Sequence, residues 1–238
     1  FISMDSIIEF KNVTISFNGK TILEDVNLDI HENKIMGLVG RSGSGKTTLF
    51  RLFLGVYLPT QGKIFYKGRK INNKIKEKVG FASQENSFYP RLTVEENISY
   101  FASMYGIDKR DVKLRMARLL ELVDLQESSN VRADNLSGGM KRRLDLAIAL
   151  VHDPDVLILD EPTTGLDIIL NENIWNLILK IHKLGKTIVV SSHNLVEIEK
   201  YCQEVTFVSR GKIIDWKHLK QLRRNSSLDH VFRRLSDA

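Results

Sequence analysis

Eight residues constrain this chain more than any others: Gly40-Arg41-Ser42-Gly43-Ser44-Gly45-Lys46-Thr47. They match the pattern G-x-x-x-x-G-K-[S/T] in full. Residues 35–39 before them are mostly apolar and read as a buried strand, and Leu49, Leu52 and Phe53 after them recur at helical spacing. The expected unit is therefore strand, loop, helix, with the helix beginning near Lys46. Three glycines let the loop turn tightly enough for successive N–H groups to converge on an anion, and the helix start adds its partial positive charge. In such a loop Lys46 reaches the outer phosphates of a nucleotide and the Thr47 hydroxyl can ligate Mg²⁺. Thr48 completes the set expected to line the phosphates.

The bulk of the chain sets wide limits. Its 238 residues are 42% hydrophobic and 27% charged, ordinary for a globular protein of one domain or one domain with a subdomain. A net charge of +6 suits a nucleotide, an acidic membrane surface or a plain solvated surface. No uninterrupted apolar run approaches the roughly 20 residues that cross a bilayer. The first residues show no signal-peptide pattern, and Met4 reads as the natural start. A soluble protein is expected, joined to any membrane through a partner. The single cysteine, Cys202, excludes an intrachain disulfide and reads as a buried small hydrophobe on a helix face.

Taken in order, residues 7–13 and 21–30 alternate apolar and polar side chains as half-buried antiparallel strands do, with residues 17–20 as the turn. Phe17 at that turn has two readings, a stacking platform for adenine or a packing residue. Residues 62–71 read as a strand pair, and 78–83 as a strand ending at Gln84. Thr93 and Glu96 form a capping-box pattern before Val94, Ile98 and Phe101. Val112, Met116, Leu119, Leu120 and Val123 mark a second helix over 109–123. With 141–151, these helices read as an inserted helical subdomain. Residues 156–159 form a short buried strand that delivers Asp160-Glu161 at its end. A helix over 171–184, a strand over 187–190, a helix over 194–201 and strands over 205–208 and 212–214 follow. This alternation predicts a mostly parallel sheet with helices on both faces. Residues 217–224 are rich in Lys and Arg and read as a solvated helix rather than a nucleic-acid site. Leu228, Val231, Phe232 and Leu235 mark a last short amphipathic helix.

Several sites now stand in a fixed order. Leu136-Ser137-Gly138-Gly139-Met140 precedes a helix, Asp160-Glu161-Pro162 ends a strand, Gly165-Leu166-Asp167 follows, and His193 ends a later strand. Asp160 after four apolar residues can hold the Mg²⁺ that Thr47 also contacts. Glu161 is placed where a base polarises water. Gln84 can touch both metal and water. His193 can hydrogen-bond a γ-phosphate, although a lone His is more often structural. Ser137 alone is a helix N-cap.

With the phosphate loop and Gln84, this order resembles the ATP-binding cassette family, the ATPase subunits of ABC transporters, over about residues 7–211. The resemblance implies a P-loop NTPase fold of the ABC-ATPase kind: a mostly parallel core sheet, an N-terminal antiparallel β subdomain and an inserted helical subdomain. One ATPase domain would cover 5–215, with 5–84 and 153–215 as its RecA-like core and 85–152 as the helical subdomain carrying the signature. Residues 216–238 would form a short helical tail. ATP and Mg²⁺ are the implied cofactors, and Phe17 is implied to stack on adenine. Ser137, Gly138 and Gly139 are implied to form a second anion site facing the γ-phosphate bound by another subunit, with Asp167 at the interface. ATP would then lie between two chains head to tail, in a homodimer or a heterodimer of ATPase subunits.

A transmembrane permease on a separate chain is the implied partner, with no nucleic acid. The implied location is the cytoplasmic face of the cell membrane, peripherally bound. Met140 departs from the Gln usual after the second signature glycine. With Lys141-Arg142-Arg143-Leu144, Asp145-Leu146-Ala147 and the stretch from Tyr89 to Asn97, it resembles the ABC-2 branch of drug and polysaccharide exporters. Ile168 stands where Pro is usual. The expected function is ATP hydrolysis driving dimer closure for export. The alternatives are an importer ATPase of the same family or a soluble non-transport ABC ATPase. The gap from Lys46 to Ser137 leaves no room for the long coiled coil of repair ATPases.

Overall fold

The computed structural model describes residues 6–215, 219 and 228–237. The chain divides into two compact units, residues 1–76 with 187–238, and residues 77–186.

The first unit opens with β1 (Ser6–Phe17) and β2 (Lys20–His31), paired antiparallel around a two-residue turn, Asn18-Gly19. Asn18 and Gly19 both have positive φ, 48° and 78°, as tight hairpin turns of this kind require. β3 (Ile35–Val39) follows, then α1 (Lys46–Phe53), β4 (Gln61–Tyr66) and β5 (Arg69–Lys70). One sheet is antiparallel, in the order β2-β1-β4-β5. α1 buries Leu49, Phe50, Leu52 and Phe53, and Phe53 meets Phe10 of β1 edge-on at 4.8 Å.

The unit resumes after residue 186 with β8 (Thr187–Ser191), α6 (Leu195–Tyr201), β9 (Glu204–Ser209) and β10 (Lys212–Ile214). β3 runs parallel to both β8 and β9, and β10 closes antiparallel on β9. All five residues of β3 and of β8 are buried, as strands covered on both faces are. α6 packs on β3 where Gly37 leaves room: a Cβ there would lie 2.7 Å from Ile198 and 3.2 Å from the Cys202 sulfur. Cys202 is thus the C-cap of α6 and packs under it, rather than lying on the helix face. α7 (Leu228–Asp237) sets Phe232 edge-on against Phe207 at 5.1 Å. The basic stretch 217–224 lies outside the described residues except for Leu219, which is buried.

The second unit holds β6 (Val79–Ala82), α2 (Val94–Met104), α3 (Lys109–Val123), α4 (Gly138–Leu150), β7 (Val156–Asp160) and α5 (Ile168–Lys183). α2 starts in the expected capping box: Thr93 accepts from the Glu96 amide at 3.1 Å, and Glu96 accepts from the Thr93 amide at 2.8 Å. α3 has the predicted bounds. α4 begins three residues before the expected start, at Gly138, because Ser137 caps it. α5 likewise begins at Ile168, capped by Asp167. β6 and β7 are parallel, with Ala82 opposite Leu159. Gly80 admits the end of α4 against β6, since a Cβ there would fall 2.1 Å from the Ala149 carbonyl. Trp175 of α5 is fully buried.

Candidate functional site

The predicted site residues fall in two sets, one in each unit. Phe17, residues 40–48 and His193 belong to the first; Gln84, Ser137, Gly138, Gly139, Asp160, Glu161 and Asp167 belong to the second.

In the first unit, parallel pairing aligns two strand ends. Leu38 of β3 stands opposite Ser191 of β8, so the loop that begins at Gly40 and the turn that holds His193 leave the same carboxyl edge. That edge is where parallel sheets place ligands. The loop is shaped by its glycines. Gly45 sits at the start of α1 with φ 113°, a backbone closed to other residues without strain. At Gly40 a Cβ would lie 2.4 Å from the Val208 carbonyl and 2.6 Å from Ser44 Oγ. Ser44 is buried, and its hydroxyl finds no hydrogen-bond partner among the described residues. The Lys46 ammonium lies over the loop, donating to the carbonyls of Gly40 at 2.5 Å and Arg41 at 3.2 Å. Among the described residues no side chain caps α1, and its first turn carries no acid. A buried hydroxyl, a lysine folded over its own loop and an undischarged helix start together suit a phosphate chain.

Phe17 is 39% exposed. Tyr57 stands edge-on to it at 5.0 Å, and the Arg51 guanidinium donates to the Tyr57 hydroxyl at 2.8 Å. The two readings of Phe17 therefore coexist: it packs on Tyr57 and keeps surface open. Sequence reasoning passed over Tyr57, although an aromatic shortly after the phosphate-loop helix was a visible signal. His193 is exposed and precedes Asn194, which caps α6 by accepting from the Val196 amide at 3.1 Å.

In the second unit, the β6–β7 register again aligns two exits, with Gln84 beyond β6 and Asp160-Glu161 at the end of β7. Asp160 is half-buried after four buried apolar residues. Glu161 has φ 51°, an uncommon conformation for a residue other than glycine. Thr164 donates its hydroxyl to Glu161 Oε2 at 3.0 Å. Ser137 accepts from the Met140 amide at 3.3 Å, and Gly138 stands open, with nothing within 4 Å of where a Cβ would be. Asp167 accepts from the Leu170 amide at 2.9 Å, so Ile168 at the first helical position serves without proline. A cleft of about 620 Å³ lined by Leu122, Arg143, Asn173 and Lys180 contains none of the candidate residues. Among the described residues no helix is long and apolar enough to cross a membrane.

Residues 23–164 match the ABC transporter family. The chain is similar to the ABC transporter ATP-binding protein YhaQ of Bacillus subtilis (strain 168), 32% identical over 92% of this chain and 74% of that protein. It is 37% identical to Nod factor export ATP-binding protein I of Paraburkholderia xenovorans (strain LB400), over 88% of this chain and 70% of that one. The dimeric post-hydrolysis structure of the ATP-binding cassette MJ0796 bound to ADP and Pi superposes with a TM-score of 0.75. It is 27% identical and covers 87% of this chain and 96% of that one.

Proposed function

Since the chain belongs to the ABC transporter family, as one of its ATP-binding and ATP-hydrolysing subunits, we propose that it drives export through a separate membrane permease by closing and reopening a two-chain nucleotide sandwich. The observation that carries the nucleotide chemistry is the phosphate loop, with Ser44 buried and lacking a hydrogen-bond partner among the described residues, and Lys46 held on the Gly40 and Arg41 carbonyls. On binding, Lys46 exchanges those carbonyls for β- and γ-phosphate oxygens, while Gly40 to Thr48 wrap the phosphates. Phe17 stacks on adenine with Tyr57 behind it. Thr47, Gln84 and Asp160 offer the hard oxygen donors that suit Mg²⁺, which when bound neutralises charge on the phosphate oxygens.

Glu161 takes a proton from the attacking water as its oxygen bonds to the γ-phosphorus and the bond to ADP breaks. His193 donates to the γ-phosphate. Ser137, Gly138 and Gly139 meet the nucleotide held by a second chain, identical or related, and Asp167 lies at that interface. ATP favours the closed pair because only that pair contacts the nucleotide from both sides. In the domain scheme proposed, 5–84 and 153–215 form the ATPase core and 85–152 the helical part that receives the permease. Of residues 216–238, the proposed tail, only Leu219 and residues 228–237 lie among the described residues. The export direction rests on the likeness to the Nod factor export protein and on the run from Met140 to Ala147. The proposed location is the cytoplasmic face of the membrane.

The test is Glu161→Gln. Turnover falls by about a hundredfold or more, nucleotide binding survives, and ATP accumulates a dimer on size-exclusion chromatography. Undiminished turnover removes Glu161 from the role of base. Affinity purification from detergent-solubilised native membranes tests the permease separately: recovery with soluble proteins alone defeats the transport reading.

A further inference from the structure

Unit 2 holds a buried ionic pair that none of these roles uses. Arg142 and Asp145 lie one turn apart on α4 and are 8% and 1% exposed. They are not committed chiefly to each other, since Arg142 Nη1 and Asp145 Oδ2 stand 3.8 Å apart, well beyond a charge-assisted hydrogen bond. Both reach the loop that leaves β6. Arg142 donates Nη1 to the Ser83 carbonyl at 2.9 Å and Nη2 to the Gln84 carbonyl at 3.1 Å. Asp145 Oδ1 accepts from the Ser87 amide at 2.8 Å. Inside the loop the Ser83 hydroxyl donates to the Glu85 carbonyl at 2.6 Å. The backbone on both sides of Gln84 is thus fastened to α4, while Gln84 itself is exposed.

The same helix opens at Ser137. Arg142 is five residues further on, about 7.5 Å along the axis. One rigid rod therefore carries the Ser137-Gly138-Gly139 start and the anchor of the Gln84 loop. The anchor is an expensive one. Burying a carboxylate penalises its charged form, and burial pushes Asp145 up to about 6 against the pull of the Ser87 amide and Arg142. Asp145 Oδ2 takes no hydrogen bond from any described residue. A pair kept at such cost is better explained by what it holds in place than by stability.

We propose that Arg142 and Asp145 are positioning residues for Gln84: they bind its backbone to the helix that opens at Ser137, so that the signature end and Gln84 move as one body. This rests on the reading of Gln84 and Ser137 as parts of the hydrolytic site. A nucleotide that engages Ser137 then also sets where Gln84 stands.

The test is a double-mutant cycle on the full chain with Mg-ATP. Arg142→Met lowers kcat by about ten- to a hundredfold and leaves nucleotide affinity unchanged to within about twofold. Arg142→Lys, which keeps the charge and loses the fork, lowers kcat less. In a Gln84→Ala background Arg142→Met adds little, because both changes act through one side chain. Unchanged kcat in Arg142→Met, or losses that multiply in the double variant, overturns the proposal. If Arg142→Met does not fold, Asp145→Leu, similar in size and without an acceptor for the Ser87 amide, is put through the same cycle with the same two outcomes. A wild-type chain that binds ATP and does not hydrolyse it defeats the reading of the site itself, which separates the two failures.

Discussion

The two glycine-bearing helix starts, Gly45-Lys46 in the first unit and Ser137-Gly138 in the second, face the same difficulty and meet it in opposite ways. The first amides of any helix lack partners within it. α4 supplies one from its own cap, the Ser137 hydroxyl, whereas α1 has glycine at that place and no side-chain cap. Neither first turn contains an acid, so neither positive end is discharged by its own residues. α2 shows the contrast, with Glu95 and Glu96 in its first turn and a closed capping box. The difference between α1 and α4 is one of readiness. On the function proposed, the loop before α1 would receive an anion with no cap to displace, whereas the start of α4 is satisfied by its own serine and would have to share that hydroxyl with a phosphate. Such an order suits a chain that binds nucleotide first and recruits its counterpart second.

The sharpest way to break that comparison is to add one methyl group to the loop that leads into α1 and one to the start of α4. Gly40→Ala forces a Cβ to 2.4 Å from a backbone carbonyl, and costs about 2–4 kcal/mol of stability together with nucleotide binding. Gly138→Ala meets nothing within 4 Å and keeps stability within about 0.5 kcal/mol. Urea unfolding of both variants decides, and equal losses would mean that the two loops are equally tight. Next come the polar groups. Lys46→Ala weakens nucleotide affinity at least about tenfold by calorimetry, while Ser137→Ala costs about 1 kcal/mol of stability as a lost cap.

The smallest net effect in the wild type is in pH, where two opposite shifts in the second unit offset each other. His152 stacks on Tyr105 at 3.8 Å and donates Nε2–H to the Val79 carbonyl at 3.3 Å. Burial draws it down to about 4. Its folded value lies below the unfolded one, so its contribution is present above about pH 6.5 and is lost as pH falls toward 4, by up to about 3 kcal/mol. Asp145 runs the other way. Its folded value is raised to about 6, so the fold gains as pH falls from 6 toward 4. The two offset each other in the wild type. Asp145→Asn removes one arm and steepens the acid loss between pH 7 and 4; an unaltered pH profile in that variant would refute the balance.

What was legible in the sequence was local. The strand, loop and helix around residues 35–53, the Thr93–Glu96 box and the bounds of α3 all depend on residues within a few positions of each other, and the structure has them as read. α4 and α5 began earlier than periodicity suggested, because Gly138, Gly139, Ile168 and Ile169 break an apolar pattern that Ser137 and Asp167 override by capping. Ile168 and Ile169 are 85% and 73% exposed, which no hydrophobic count would have assigned to a helix start. Contacts across long stretches of chain were out of reach. Tyr57 backing Phe17 spans 40 residues, Arg142 and Asp145 holding the Gln84 loop span nearly 60, and no spacing rule reaches that far. The left-handed backbone of Glu161 was equally hidden, since its neighbours read as the plain end of a strand.

Cys202 has a practical consequence. It is the chain's single cysteine, it packs under α6 against Gly37, and burial raises its thiol far above neutrality, so at pH 7 it is protonated and a poor nucleophile. A cysteine introduced on an exposed position of either unit would therefore react with a maleimide dye or spin label against a quiet background. Paired reporters could follow nucleotide-driven movement without first removing the native thiol.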